Sequence, residues 1–199
     1  ISVTDGDNDP LSTTSTSQSG GSFEFVDTDP TAIIVSQEVG FSGSLSVVEA
    51  AGTATGSLSI VAPTYTVTAV DGHDAANDSV TYKLLASGDS DLETTDGNYA
   101  ISLSTSDDGQ TVTGQYTDTA DNNTVKTAFT ISLSGTTVTL NSAVALEHSN
   151  AQESDTVTED NTLDLANLVT VEATISVTDG DNDPLSTTST SQSGGSFEF

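Results

Sequence analysis

The sequence predicts an all-β fold, an antiparallel Greek-key β-sandwich, and three observations carry that expectation. Segments of four to six residues alternate apolar and polar side chains or run apolar. Clusters of Asp, Asn, Gly and Ser separate them every ~8–14 residues, the spacing of a sandwich. Stretches rich in Leu, Glu and Lys, of the kind that make long helices, do not occur. Only 33% of the 199 residues are hydrophobic, and Cys, Met and Trp are absent. The core must therefore come from Val, Ile, Leu and a few Phe and Tyr spread over many short strands. Thr fills much of the remainder, and its branched Cβ suits a pleated surface.

Taken in order, Ile1–Val3 and Phe23–Val26 read as strands flanking a polar Ser/Thr tract, Ser12–Ser22, so that a hairpin arm with a long tip is expected. Gly40–Gly56 is rich in Gly, Ser and Ala and reads as a loose connection or edge strands. Strands are then predicted at Val67–Val70, Val80–Leu85, Tyr99–Leu103, Thr111–Tyr116, Ala128–Leu133, Thr137–Leu140 and Val171–Val177. The turns between them fall at Asp71-Gly72, Asp96-Gly97-Asn98, Asp107-Asp108-Gly109, Asp121-Asn122-Asn123 and Ser134-Gly135. A short helix over 161–168 is the one helical candidate.

Residues 1–25, ISVTDGDNDPLSTTSTSQSGGSFEF, recur letter for letter at 175–199, an offset of 174. A period that long exceeds the ~20–50 residues of solenoid repeats, so the repeats are expected to be separate folded beads. The predicted organisation is a tail of a preceding repeat (1–25), a linker or edge strands (26–45) and a sandwich module (46–199). A chain that opens inside an expected strand, without Met, is expected to be a piece of a longer tandem protein. It carries no apolar run of membrane length and no signal peptide.

Thirty acidic residues face two basic ones, Lys83 and Lys126, for a net charge of −28. Such a chain repels phosphate, which argues against nucleic acid or anionic lipid as partners. With no Cys there is no disulfide framework, and bound metal is the obvious substitute for stiffness outside the cell. Catalysis is not expected. There is no G-x-S-x-G, no H-E-x-x-H and no phosphate cradle, and His73 and His148 read as loop residues.

Three acidic sets could supply the hard oxygens that calcium takes. The first is Asp5-Gly-Asp7-Asn-Asp9-Pro10 with its copy Asp179-Gly-Asp181-Asn-Asp183-Pro184. Its D-x-D-x-D start matches an EF-hand loop, but Pro at the sixth position and Ser12 or Ser186 at the twelfth reject that motif. As plain turn chemistry it would end a strand. The second set is Asp27-Thr-Asp29-Pro30, and the third is scattered over Glu49, Asp71, Asp74, Asp78 and Glu147.

The order of these segments resembles a cadherin-type repeat. Leu45-Ser-Val-Val-Glu49 looks like its first acidic strand, Asp71-Gly-His73-Asp74 its D-x-D strand end, and Asn77-Asp-Ser-Val-Thr-Tyr-Lys-Leu84 its N-x-x-V-x-Y-x-L. Leu146-Glu147 sits where such repeats carry L-D-R-E, and Val26-Asp27-Thr-Asp29-Pro30 resembles their interdomain linker. His73 stands where the motif has Asp, with Asp74 available in its place. The layout is also similar to the long repeats of type I-secreted RTX adhesins. The resemblance implies a calcium-stiffened, Ig-like extender repeat of a bacterial surface adhesin, with adjacent identical repeats and Ca2+ as partners. The metal ligands it implies are Asp5, Asp7, Asp9, Asp27, Asp29, Glu49, Asp71, Asp74, Glu147, Asp179, Asp181 and Asp183. Asp27, Asp29, Glu49, Asp71 and Asp74 are expected to converge on one or two ions. The alternative is a module that itself grips a glycan through calcium.

Overall fold

A computed structural model describes residues 2–4, 10–12, 14, 30–47, 54–69, 72–86, 88–147, 165, 168–191 and 196–199. Its strands are β1 (Ser2–Thr4), β2 (Pro10–Ser12), β3 (Ala32–Gln37), β4 (Gly40–Val47), β5 (Ala54–Val61), β6 (Thr64–Thr68), β7 (Ser79–Leu85) and β8 (Gly88–Glu93). They continue with β9 (Ala100–Thr105), β10 (Thr111–Asp118), β11 (Thr124–Ser134), β12 (Thr137–Ser142), β13 (Thr170–Thr178), β14 (Pro184–Thr190) and β15 (Ser196–Glu198). One 3-10 turn, Ala75–Asn77, is the only helical element among the described residues. None of those residues forms a helix long and apolar enough to cross a membrane.

The all-β sandwich expected from the alternation is the fold the chain adopts. An eight-stranded sheet runs in the order β15-β4-β5-β12-β11-β10-β9-β8, beside a three-stranded sheet β14-β13-β7 and the pairs β3-β6 and β1-β2. Side chains from the large sheet meet Leu84 of β7 and Val171 and Ala173 of β13 in one core, together with Phe129, Leu146 and Phe197. Among the described residues every strand pairing is antiparallel except β15 with β4, which is parallel. This edge is the one departure, among the described residues, from the antiparallel pattern that the sequence predicts. β15 comes from the far end of the chain and runs alongside β4 instead of returning through a hairpin.

The Gly40–Gly56 region is not a loose connection. Its two ends are β4 and β5, paired over eight positions, with β4 between β15 and β5. Glycine is required there. Gly43 and Gly56 both have φ near +100°, and a Cβ on either would lie 2.1 Å from Ser57 O and 2.5 Å from Ser44 O respectively. The polar tract also departs from expectation. In its second copy, Pro184–Thr190 is a strand, and its hydroxyls are put to use. Ser189 Oγ accepts from Val39 N at 2.9 Å and donates to Glu38. Ser191 Oγ accepts from Val171 N at 3.0 Å. Buried hydroxyls with such partners cost little. Of the predicted helix at 161–168, only Leu165 and Leu168 lie among the described residues. Leu165 is buried and its N–H bonds Phe197 O at 3.1 Å.

β11 carries a bulge, with Ala128 the extra residue between the pairs Gly114–Phe129 and Gln115–Thr127, so that Ala128 and Phe129 are both buried. Gly114 makes room for this, since a Cβ there would meet the Phe129 ring at 2.5 Å. Phe129 in turn packs on Phe199, ring centroids 4.8 Å apart.

Candidate metal centre

β13 delivers the acidic turn by simple alternation. Val171, Ala173, Ile175 and Val177 all face inward and are at most 1% exposed. The next inward position is Asp179, which the period of two carries into the interior at 2% exposure. A carboxylate is an unusual residue to find there.

The turn 179–183 closes around that side chain. Asp183 N donates to Asp179 Oδ1 at 2.9 Å. Asn182 N bonds Asp179 O at 3.3 Å, with Asn182 in the left-handed region at φ +79°. Asp179 Oδ2 and the neighbouring Thr178 Oγ1 are buried without a hydrogen-bond partner. A buried carboxylate oxygen left in that state is costly unless a cation meets it. The carboxylate oxygens of Asp179, Asp181 and Asp183 lie within 4.8 Å of one another, with Asp181 exposed and Asp183 half-buried. Three like charges at that spacing repel, and the arrangement could hold a metal ion.

A second wall comes from the loop before β7. His73 forms a β-bridge with Asp179. Asp78 anchors this loop, accepting from the Tyr65 hydroxyl at 2.7 Å and lying 2.7 Å from His73 Nε2. Burial first, then the hydrogen bond to Asp78 and its charge, push the Tyr65 hydroxyl up to about 12. Asp74 caps the 3-10 turn, accepting from Ala76 N at 3.0 Å.

The structure thus brings together Asp179, Asp181 and Asp183 from the predicted ligand set. Among the described residues, Asp74 and Glu147 are in no such group of three. Asp74 serves its cap, and Glu147 is exposed, its N–H bonded to Glu93 O at 2.8 Å beside β8. Asp5, Asp7, Asp9, Asp27, Asp29, Glu49 and Asp71 lie outside the described residues. Asp78 was read only as a member of the scattered set, and its role as the hub between Tyr65 and His73 needs contacts 13 and 5 residues apart.

A second polar cluster was not visible in the sequence. Tyr99 and Tyr116 stack at 5.7 Å with an interplanar angle of 11°. With Thr94, Asp96 and Asp118 they line a cleft of about 510 Å3. Lys126 Nζ bridges Asp118 at 2.8 Å and Asp121 at 2.9 Å. Its hydrogen bond holds the Asp118 carboxyl below the usual range, helped by the Tyr99 hydroxyl and the Ala120 N–H.

Residues 29–190 match DUF5801, described as a domain of unknown function. The chain belongs to this family. No curated protein and no solved structure matches it. The DUF5801 match takes in β3 through β14 and the whole Asp179–Asp183 turn, while β15 lies beyond it.

Proposed function

We propose that this DUF5801 chain is a calcium-stiffened extender repeat of a long, secreted bacterial surface adhesin, a spacer and not a catalyst. The observation that carries the reading is the buried, unpartnered Oδ2 of Asp179 inside a D-x-D-x-D turn. Calcium suits the turn better than magnesium. It accepts six to eight oxygens in flexible geometry at ~2.3–2.6 Å, whereas magnesium demands a near-ideal octahedron and keeps its waters.

The position of the turn supports a mechanical role. Just before β3, Thr31 N bonds Thr68 O at 2.9 Å, and five residues on from Thr68, His73 bridges Asp179. β14 then carries the chain away from the turn for seven residues, about 20 Å of strand. An ion there would tie the loop before β7 to the turn. Binding only the folded state, it would stabilise by ~4 kcal/mol at a thousandfold excess over Kd. Recurrence of 25 identical residues at a 174-residue offset fits an array of spacers.

Calorimetric titration of the chelated protein with Ca2+, alongside thermal melts with and without chelator, tests this reading. Heat of binding and a rise in melting temperature are expected. A flat titration with an unchanged melt would end it.

A second reading, a module that grips a glycan, draws on the Tyr99–Tyr116 cleft, since sugar rings stack on tyrosine faces and carboxylates accept their hydroxyls. Tyr116→Ala abolishing retention on immobilised oligosaccharide would favour it over the spacer.

A further inference from the structure

We propose that the outer face of the large sheet is an interface on which a second copy of this chain sits, sheet against sheet. The six consecutive strands β4, β5, β12, β11, β10 and β9 carry only two charged side chains, Asp118 and Lys126. Those two bond each other at 2.8 Å. Alternation from buried Val112 and Gly114 puts Asp118 on the inner side of the sheet, where it lines the tyrosine cleft and Lys126 meets it. Outward, the six strands present no charge at all, although 16% of the chain is charged. Small polar side chains take these positions, as with Ser42, Ser44 and Ser46 on β4 and Thr137, Thr139 and Asn141 on β12.

Contact with water does not call for this. One face of an antiparallel sheet is ordinarily solvated and tolerates charge. The next strand of the same sheet illustrates it. In β8, Ser90 and Leu92 are buried while Asp89, Asp91 and Glu93 are exposed. A neutral glycan does not call for it either, because carboxylates accept hydroxyl donors. What a carboxylate obstructs is the approach of a surface that is itself acidic. With a net charge of −28, a second copy of this chain is such a surface. A charge-free centre with the β8 carboxylates at its margin is the layout of an interface core and its rim.

The same face carries an apolar anchor. Val125 is 60% exposed and borders a shallow hollow of about 250 Å3, shared with Ala100, Ser102, Gln115 and Thr117. A two-fold contact uses one patch on both copies, so each Val125 has the hollow of the other copy to enter. Six strands at ~4.8 Å spacing, each ~20 Å long, offer on the order of 500 Å2 of plane per copy. That is below the ~800 Å2 per partner of a stable complex, so the pair is weak and reversible. The inference does not rest on metal binding.

The test is sedimentation equilibrium of the full chain at one fixed calcium concentration, from micromolar to millimolar protein. Mass should rise from 20.2 kDa toward twice that value and no further. Association should strengthen with added NaCl, because salt screens repulsion between the remaining carboxylates. The double variant Ser102→Asp/Thr139→Asp should weaken association at least ~tenfold, since it sets like charges inside the contact. Thr81→Asp, exposed on β7 of the other sheet, should leave it unchanged. Association by calcium bridging between carboxylates would respond the opposite way and strengthen with each added Asp. Independently of any variant, the wild-type amide shifts that move with protein concentration should lie on β4, β5 and β9–β12, and they decide the matter if the double variant unfolds. A monomer throughout, undiminished association of a folded double variant, or shifts confined to other strands would each overturn the proposal. Face amides of a monomeric wild type that shift instead with a neutral oligosaccharide would overturn it in favour of a glycan.

Discussion

Asp179→Asn should change stability in opposite directions with and without metal. Without metal, the substitution keeps an oxygen to accept from Asp183 N, now 2.9 Å from Oδ1, and removes a charge whose other oxygen has no partner. Relief of that desolvation is worth ~1–3 kcal/mol. Loss of repulsion from Asp181 and Asp183, within 4.8 Å, adds to it. In a protein of this size about 1 kcal/mol moves the melting temperature by ~2–4 °C, so chelated Asp179→Asn should melt several degrees above the wild type. In saturating Ca2+ the order should reverse, because the variant forfeits most of a linkage term of ~4 kcal/mol. Paired scanning calorimetry of both proteins, in chelator and in calcium, measures this directly. Equal loss of stability in the two buffers would refute the reasoning. It would mean that the carboxylate acts only as an acceptor for the turn.

Three further outcomes follow from the packing. Gly114→Ala places a Cβ 2.5 Å from the Phe129 ring and should cost ~1–3 kcal/mol in denaturant unfolding, with an unchanged midpoint counting against the bulge. Gly43→Ala, at φ +100° with Ser57 O 2.1 Å away, should open the β4–β5 pairing, read as faster amide exchange in Ser42–Ser46. Lys126→Ala should raise the Asp118 carboxyl toward the ordinary range in an NMR titration, since its largest lowering contact is removed. Because that carboxyl is depressed in the fold, the pair stabilises above pH ~4 and the contribution is lost as pH falls through the lowered value. The stability gap between wild type and Lys126→Ala should therefore close in acid, and a gap that persists there would exclude the ion pair as its source.

Much of the fold was legible because its signals are local. Alternation over 80–85, 111–116, 128–133 and 171–177 reappears as β7, β10, β11 and β13. The hairpin around D-G-D-N-D-P takes one register in both copies, although among the described residues β13 also pairs with β7 while β1 pairs only with β2. Turn chemistry and pleat suffice to set such a register. The same alternation, run one step past Val177, is what buries Asp179. Other features came only from distant partners. The Ser/Thr tract became β14 because Val39 and Val171 offer N–H groups to Ser189 and Ser191, one of them 150 residues away. The parallel β15–β4 edge and the Tyr99–Tyr116 stack are of the same kind. The sequence alone determined where strands such as β7, β10, β11 and β13 lie, since a side chain's alternation and a turn's residues act over a few neighbours. The tertiary structure decided which strands pair and which carboxylates converge, since those depend on hydrogen-bond partners and desolvation supplied by residues far along the chain.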